Sequence, residues 1–299
     1  MNFTIATTLD EALTALAAGA RPVAGGSDLV VGARQGKSPL PESVVAIDRI
    51  ESLTHLDAST DGLGIGALVT HAQLESDATV VGAYTALADA SALVGSPSTR
   101  NVGTLGGNVM NASPAMDTGA PLLVFGAEVE LRSSAGSRRV GVADLWTGPG
   151  RTSAQGDELC TAIHLPSRPA GSGSAYVRLE YRRAMEIAVV GAAASITLAA
   201  DGAVVSLSVA LTAVAPTIIA VGGTDTLAGR QVDDALLADV AALASSQAVP
   251  ISDLRASERY RRHCVGVMAR RAVDAAARRA RGESIAVPVN RSLGIGAAS

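Results

Sequence analysis

Two glycine-rich segments constrain the fold of this chain more than any other feature of its sequence. They are Ala24-Gly25-Gly26-Ser27-Asp28 and Thr104-Leu105-Gly106-Gly107-Asn108, and about eighty residues separate them. Each follows an apolar run and precedes a stretch that can become a helix or a turn. Glycine leaves backbone N–H groups without a side chain in front of them, and such groups can hold a phosphate. The pair predicts two sub-domains that close on one extended ligand with a diphosphate at its centre.

Glycine-rich segments also have a purely structural interpretation. A tight turn between a strand and a helix uses glycine only for its positive φ, and the first segment alone is only slightly better evidence for a ligand. For Gly62-Leu63-Gly64-Ile65-Gly66 we prefer the structural interpretation. A Rossmann dinucleotide site needs G-x-G-x-x-G between a strand and a long helix, and Ala67 and Val69 break that pattern. We therefore expect no nicotinamide-binding Rossmann domain.

The second segment carries more polar chemistry at short range. Thr104 offers a hydroxyl, Gly106 and Gly107 offer backbone donors, and Asn108 offers both a donor and an acceptor. These groups strengthen the case for a ligand site.

Asp117 is a further candidate. Ser113 and Pro114 are typical of a helix start, so Asp117 is predicted near the first turn of a helix, where it can accept hydrogen bonds from ligand hydroxyls. An acidic residue in a first turn is also favoured by the helix dipole alone. The two interpretations have nearly equal weight.

Periodicity divides the chain into units. Residues 1–55 and 56–170 are predicted as two small α/β sub-domains, and residues 175–285 as a sheet-plus-helix domain after a linker rich in Gly and Ser. Residues 286–299 have no periodicity, and we expect an extended or mobile tail. The predicted fold class is α+β.

The composition excludes several kinds of protein. Aromatic residues make up 2% of the chain, so binding by stacked aromatic rings is hard to support. The net charge of −4 gives no attraction for nucleic acid. Only two cysteines are present, Cys160 and Cys264, whereas an iron–sulfur cluster takes about four cysteine ligands. We expect no cluster held by this chain alone and no disulfide framework.

Other absences narrow the function further. The four histidines show no metal-ligand spacing, and no Ser/His/Asp or Cys/His set can be assembled. We therefore predict neither a metal site nor a catalytic residue. The first residues do not resemble a signal peptide, and the apolar runs are shorter than the ~20 residues that cross a bilayer. We expect a cytoplasmic protein without a membrane span.

The region around the second segment resembles a known family. Ser96-Pro97-Ser98-Thr99-Arg100-Asn101-Val102-Gly103-Thr104-Leu105-Gly106-Gly107-Asn108, followed by Asn111-Ala112-Ser113-Pro114-Ala115-Met116-Asp117, is similar to the flavin-binding subunit of the molybdenum hydroxylases. This is the xanthine dehydrogenase and carbon monoxide dehydrogenase group. The resemblance extends over nearly the whole chain, through the segments 24–29, 181–188 and 257–262.

The resemblance implies the FAD-binding fold, with FAD held by its pyrophosphate between the two glycine segments. The cofactor-binding residues that it implies are Ala24, Gly25, Gly26, Ser27, Asp28, Thr104, Leu105, Gly106, Gly107, Asn108, Asp117 and Arg178. Asp117 would contact the ribityl and diphosphate region. Arg178 stands where relatives commonly have lysine near the flavin ring, and Glu186 where they commonly have aspartate. A planar guanidinium fork does not replace a point charge without change.

The resemblance also implies partners. Relatives work with a large molybdopterin subunit and a small subunit with two [2Fe-2S] clusters, as a dimer of heterotrimers. Electrons reach the flavin through the clusters and leave to an external acceptor. Two alternatives stay open: a stand-alone flavin oxidoreductase of the same broad fold, and a nucleotide-binding module without redox chemistry.

Arginines near the C-terminus have a less specific interpretation. Residues 255–281 contain nine arginines, which we interpret first as a solvated helix face, second as a docking surface and only third as a nucleic-acid site. Arg182 and Arg183 are candidates for contacting a partner or for forming a solvated edge.

Overall fold

The first sheet of the chain is parallel. The computed structural model describes residues 2–36 and 39–295. The first elements are β1 (Asn2–Ile5), α1 (Leu9–Ala17), β2 (Arg21–Val23), α2 (Ser27–Arg34), β3 (Ser43–Ala46) and a 3-10 turn (Glu51–Leu53). The strands pair in the order β1-β3-β2. Thr8 and Glu11 form a capping box at the start of α1, which buries Leu13 and Leu16.

The second sheet is antiparallel and has five strands in the order β4-β5-β10-β6-β7. The elements of this part of the chain are β4 (Leu56–Ser59), β5 (Gly62–Gly66), α3 (His71–Leu74), α4 (Ala78–Ala83), α5 (Thr85–Ser91), α6 (Pro97–Val102), α7 (Leu105–Asn111), α8 (Gly119–Val124), β6 (Glu128–Ser133), β7 (Gly136–Gly141), α9 (Val142–Leu145), β8 (Trp146–Gly148), β9 (Arg151–Thr152) and β10 (Leu159–Pro166). Strands β8 and β9 form a separate two-stranded sheet. Residues 62–66 thus form a strand with neighbours on both sides. The helices pack on this sheet around fully buried residues such as Leu87, Leu105 and Ile163.

The third sheet is also antiparallel, in the order β11-β12-β13-β14. The remaining elements are β11 (Ser172–Leu179), β12 (Val190–Leu198), β13 (Val204–Thr212), β14 (Ile219–Ala220), a 3-10 turn (Thr224–Leu227), α10 (Asp234–Gln247), α11 (Glu258–Ala280) and α12 (Val289–Ser292). These elements confirm the predicted α+β class. Within 2–36 and 39–295, no helix combines the length and the apolar character that crossing a bilayer requires.

Both faces of the third sheet are covered by helices. One face packs on helices of the second unit, and the other packs on α10 and α11. Successive strand residues face opposite sides. Ala193 of β12 belongs to the core that contains α5, α7 and α8, whereas Ala192 and Ala194 belong to the core that contains α10 and α11. Every residue of β12 is buried as a result. Helix α11 lies so close to β11 that a Cβ at Gly173 would stand 2.2 Å from the carbonyl oxygen of Ala276.

Two local expectations are wrong. Residues 113–118 form turns, and α8 begins only at Gly119, so Asp117 precedes a helix and does not lie in its first turn. The tail is not extended throughout, because Val289 and Asn290 of α12 are buried against the sheet. Residues 296–299 lie outside the described residues. The predicted unit boundaries stay predictions.

Candidate functional site

The two glycine segments meet in the folded chain. A Cβ on Gly25 would lie 1.7 Å from the carbonyl oxygen of Val102 and 3.2 Å from the nitrogen of Gly103. Real side chains do not approach backbone so closely, and only glycine fits position 25 without moving the neighbouring chain. The first segment therefore packs directly on the residues that lead into the second.

The first segment forms an open helix N-terminus. Gly26 is left-handed, with φ of 67°, and is the N-cap of α2 without a side-chain hydrogen bond. Among residues 2–36 and 39–295, no acceptor binds the backbone N–H groups of residues 25–29. Free N–H groups and the helix dipole favour an anion at this position.

The Asp28 side chain stands at the same helix end. It is exposed at the surface, yet partial loss of hydration raises the pKa of its carboxyl. A carboxylate here opposes a phosphate electrostatically, so the backbone of this segment supplies the attraction.

The second segment is built differently. The N–H of Gly106 donates to the carbonyl of Ala67 (3.0 Å), and that of Gly107 to Thr104 Oγ1 (3.1 Å). The expectation that these two glycines offer free backbone donors is therefore wrong. Thr104 caps α7, and a Cβ on Gly106 would stand 2.6 Å from the Cβ of Ala67. Gly106 thus lets α7 approach the second sheet.

The accessible part of the second segment is its far end. Leu105 and Gly106 are buried, whereas Gly107 is exposed and Asn108 is half-buried. Asn108 Oδ1 accepts a hydrogen bond from the Thr118 hydroxyl at 2.6 Å. This bond orients the amide so that its NH2 group is the part left for a ligand.

Asp117 and Arg178 bind each other. Arg178 Nη1 lies 2.6 Å from Asp117 Oδ2, and the Tyr176 hydroxyl donates to Asp117 Oδ1 at 2.7 Å. Burial raises the pKa of Asp117, and Arg178 opposes that shift. The structure therefore joins two of the predicted site residues in a buried ion pair between the second unit and β11.

Arg178 is fully buried and contacts two carboxylates. Its Nε donates to Glu180 Oε2 at 2.7 Å, on the side opposite its contact with Asp117. Burial lowers the pKa of Arg178, but Asp117 and Glu180 outweigh that effect and the net direction is upward. A lysine ammonium cannot span both carboxylates with a planar fork, so arginine here forms a bridge.

His71 belongs to the same region, and no pattern in the sequence indicates this position. Thr70 and Gln73 do form a capping box at α3. In addition, the backbone N–H of His71 donates to the carbonyl of Gly103 at 3.1 Å. The ring is 1% exposed, and its Nδ1 has no hydrogen-bond partner among residues 2–36 and 39–295. Burial, helped by Arg100, lowers the pKa of His71 to about 4.

We expect stability to depend on His71 at mildly acidic pH. Between about 6.5 and about 4 the unfolded histidine binds a proton and the folded one stays neutral, so acidification favours unfolding by up to a few kcal/mol. Urea unfolding across this window should show a shallower loss of stability for His71→Asn than for the unmodified chain. Above about pH 7 the two stabilities should run parallel. If the stabilities of the two proteins depend equally on pH over the whole range, the pKa of His71 is not lowered by folding.

The basic helix α11 is only partly a solvated face. Arg261 is 4% exposed and donates to the carbonyl of Val189 (2.6 Å) and to Asp253 (2.7 Å). Arg279 reaches the buried Asp89. Hence two of the nine arginines hold the fold together.

No group of three or more histidine, cysteine or acidic residues is placed for a metal within 2–36 and 39–295.

Known proteins match both parts of the chain. Residues 1–168 match the model for the FAD binding domain in molybdopterin dehydrogenase, and residues 175–276 match the CO dehydrogenase flavoprotein C-terminal domain. The chain is 35% identical to the carbon monoxide dehydrogenase medium chain of Afipia carboxidovorans, over 90% of this chain and 93% of that one. It is 31% identical to the xanthine dehydrogenase FAD-binding subunit of Escherichia coli O157:H7, over 93% and 96%.

Solved structures agree with the sequence matches. The chain superimposes on a chain of the Cu,Mo-CO dehydrogenase with a TM-score of 0.89 and 31% identity, over 93% of this chain and 98% of that one. For quinoline 2-oxidoreductase from Pseudomonas putida 86 the TM-score is 0.87, with 28% identity over 94% and 98%. Fold and site together define a flavoprotein component of an oxidoreductase. The chain belongs to the FAD-binding subunits of the molybdenum hydroxylase family.

Proposed function

We propose that this chain is the electron-transfer subunit of a molybdenum-containing hydroxylase or dehydrogenase. It takes electrons from [2Fe-2S] clusters on a partner subunit and passes them through FAD to an external acceptor. The observation that carries this proposal is the open N-terminus of α2, which packs on the residues that lead into the second glycine segment. Bound FAD supplies the redox chemistry, and the protein binds and orients it.

The residues present fit a dinucleotide diphosphate. Ala24, Gly25, Gly26, Ser27 and Asp28 bring free N–H groups and the positive helix end to the phosphates. Gly107 and Asn108 are the accessible residues of the second segment and would bind the same ligand. Thr104, Leu105 and Gly106 are mostly occupied by internal contacts and hold this end in position.

The ion pair of Asp117 and Arg178 lies next to Thr118, whose hydroxyl binds Asn108 of this site. Their ion pair ties the turn after α7 to β11, and Glu180 fixes the other side of the guanidinium. Asp117 keeps acceptor capacity on its oxygens for ribityl hydroxyls. Arg178 acts by holding Asp117 in place, because its own side chain has no exposed surface.

Partner subunits complete the enzyme. The relatives above are named as a medium chain and as an FAD-binding subunit, which supports an assembly with other subunits. We propose that these are a large molybdopterin subunit and a small [2Fe-2S] subunit, in a dimer of heterotrimers. Both cysteines of this chain are buried and unpaired, and burial raises the pKa of Cys160 to about 12. Two cysteines are fewer than the about four thiolates that hold an iron–sulfur cluster, which supports placing the clusters on another chain.

A visible spectrum of the purified chain tests the proposal. Flavin absorption bands, with FAD released on denaturation at close to one per chain, are the expected result. An apoprotein that takes up no FAD on reconstitution would overturn the flavoprotein assignment. Co-purification with molybdenum and iron then separates the subunit from a stand-alone flavin oxidoreductase.

Substitutions at the two adjacent glycines should separate binding from folding. Gly107 is exposed and a Cβ there meets only Thr104 Oγ1, at 3.0 Å, so Gly107→Val should reduce FAD occupancy with little change in melting temperature. Gly106→Val, against Ala67, should lower both. FAD content and thermal melting of the two apoproteins provide the comparison. If Gly107→Val keeps full FAD occupancy, Gly107 does not face the cofactor.

A further inference from the structure

The most exposed apolar side chains in the C-terminal part of the chain lie together. Val249, Ile251 and Leu254 are 66%, 72% and 108% exposed, and all three stand in the segment between α10 and α11. Tyr260, at the start of α11, is 44% exposed, and Tyr181 is 59% exposed. In a chain with four tyrosines and 2% aromatic residues, this concentration of exposed apolar surface indicates an interaction site.

A hydrogen bond links the two segments that carry these exposed side chains. The Tyr181 hydroxyl donates to the carbonyl of Arg255 at 2.7 Å, which links the loop after β11 to the 249–256 segment. Next to it an open groove of about 680 Å3 is lined by Arg259, Arg262 and His263, among others. We call residues 181–183 and 249–263 the C-terminal patch.

The backbone of the C-terminal patch is held in place. Val249 donates its N–H to the carbonyl of Val214 at 2.8 Å. Asp253 accepts from Arg261 at 2.7 Å and from the N–H groups of Arg255 and Ala256 at 2.8 and 3.2 Å. The exposed side chains are therefore displayed on a fixed frame, which reduces the entropy lost on binding a partner.

The charge of the patch is opposite to that of the chain. The patch with its ion-pair partner Glu186 contains six arginines against three carboxylates, an excess of three positive charges, whereas the whole chain carries −4. The six arginines are Arg182, Arg183, Arg255, Arg259, Arg261 and Arg262, and the carboxylates are Glu186, Asp253 and Glu258. A local cationic surface steers an acidic partner into contact.

We infer that the C-terminal patch docks the acidic face of a partner protein subunit, with Leu254 as the apolar anchor and the five exposed arginines of the patch, all but the buried Arg261, as the polar rim. Tyrosine and arginine beside an exposed aliphatic anchor are the residue types that interfaces favour. This inference rests on the proposed function, which requires partner subunits. The inference adds the surface of this chain at which one partner subunit binds.

The native complex, purified with all its subunits, provides the test. Hydroxyl-radical labelling should modify Leu254 and Tyr260 at least about tenfold less in the complex than in the isolated chain. In reconstitution from purified subunits, Leu254→Asp and Arg259→Glu should each weaken association about tenfold or more. Val205→Asp is the matched control, because Val205 is 57% exposed on β13 and lies outside the patch. It should assemble as the unmodified chain does.

Several outcomes would overturn the inference. Unchanged assembly of Leu254→Asp, or equal labelling of the patch in complex and isolated chain, would remove the docking role. Self-association of the isolated chain that Leu254→Asp abolishes would assign the patch to a second copy instead. Binding to anionic lipid vesicles with the same sensitivity would assign it to a membrane surface. FAD content of each variant is measured in parallel, so loss of docking and loss of the flavoprotein function are read separately.

Discussion

Replacing Gly25 by alanine should weaken FAD binding by about a hundredfold or more, equivalent to nearly 3 kcal/mol. The new Cβ would meet the Val102 carbonyl at 1.7 Å, so the two glycine segments must move apart. The backbone of Gly25 lies outside the left-handed region, so the substitution changes packing without adding φ strain. Titration of the apoprotein with FAD, followed by flavin fluorescence, measures the effect.

A matched control is available in the same part of the chain. A Cβ on Gly82 of α4 would meet nothing within 4 Å, and its φ is not positive. Gly82→Ala should leave FAD affinity unchanged and should stabilise the helix by up to about 1 kcal/mol. Wild-type affinity in Gly25→Ala would show that the diphosphate is not held at the junction of the two segments.

The two glycine segments could be predicted from the sequence because their residue types act locally. Positive φ at Gly26 and the helix start after it need only short-range patterns. It could not be predicted that the first segment leaves its backbone N–H groups open while the second uses those of its two glycines in internal hydrogen bonds. Whether the N–H of Gly106 is free depends on the carbonyl of Ala67, which a sequence pattern does not place beside it.

The burial of Arg178 likewise could not be predicted from the sequence. The sequence indicates a cation near the expected site, but its burial depends on Asp117 and Glu180 lying on opposite sides of its guanidinium. The contact with Asp117 spans sixty-one residues along the chain. The turn at 113–118, where the pattern predicts a helix, is likewise held from afar, because the Thr212 hydroxyl donates to the carbonyls of Pro114 and Met116.

Removing the Asp89 carboxylate should destabilise the chain by about 3–5 kcal/mol, the usual result of leaving a buried charge without its partner. Asp89 has no exposed surface and accepts hydrogen bonds from Arg279 at 2.6 and 3.0 Å. It also accepts from the N–H groups of Tyr176 (3.1 Å) and Val289 (2.9 Å). One carboxylate thus joins α5 to β11, α11 and α12. Urea unfolding of Asp89→Ala measures the loss.

Asp239→Ala is the control for the loss of an ion pair as such. Its partner Arg230 lies 2.7 Å away, and both side chains are exposed, so this substitution should cost about 1 kcal/mol or less. Burial raises the pKa of Asp89 against the pull of Arg279, so Asp89→Asn imitates the protonated carboxyl and should show whether the charge itself is needed. If Asp89→Ala and Asp239→Ala lose equal stability, Asp89 does not hold the C-terminal sheet to the flavin-binding part. If only Asp89→Ala is strongly destabilised, that one carboxylate fixes the sheet that carries Arg178 against α5.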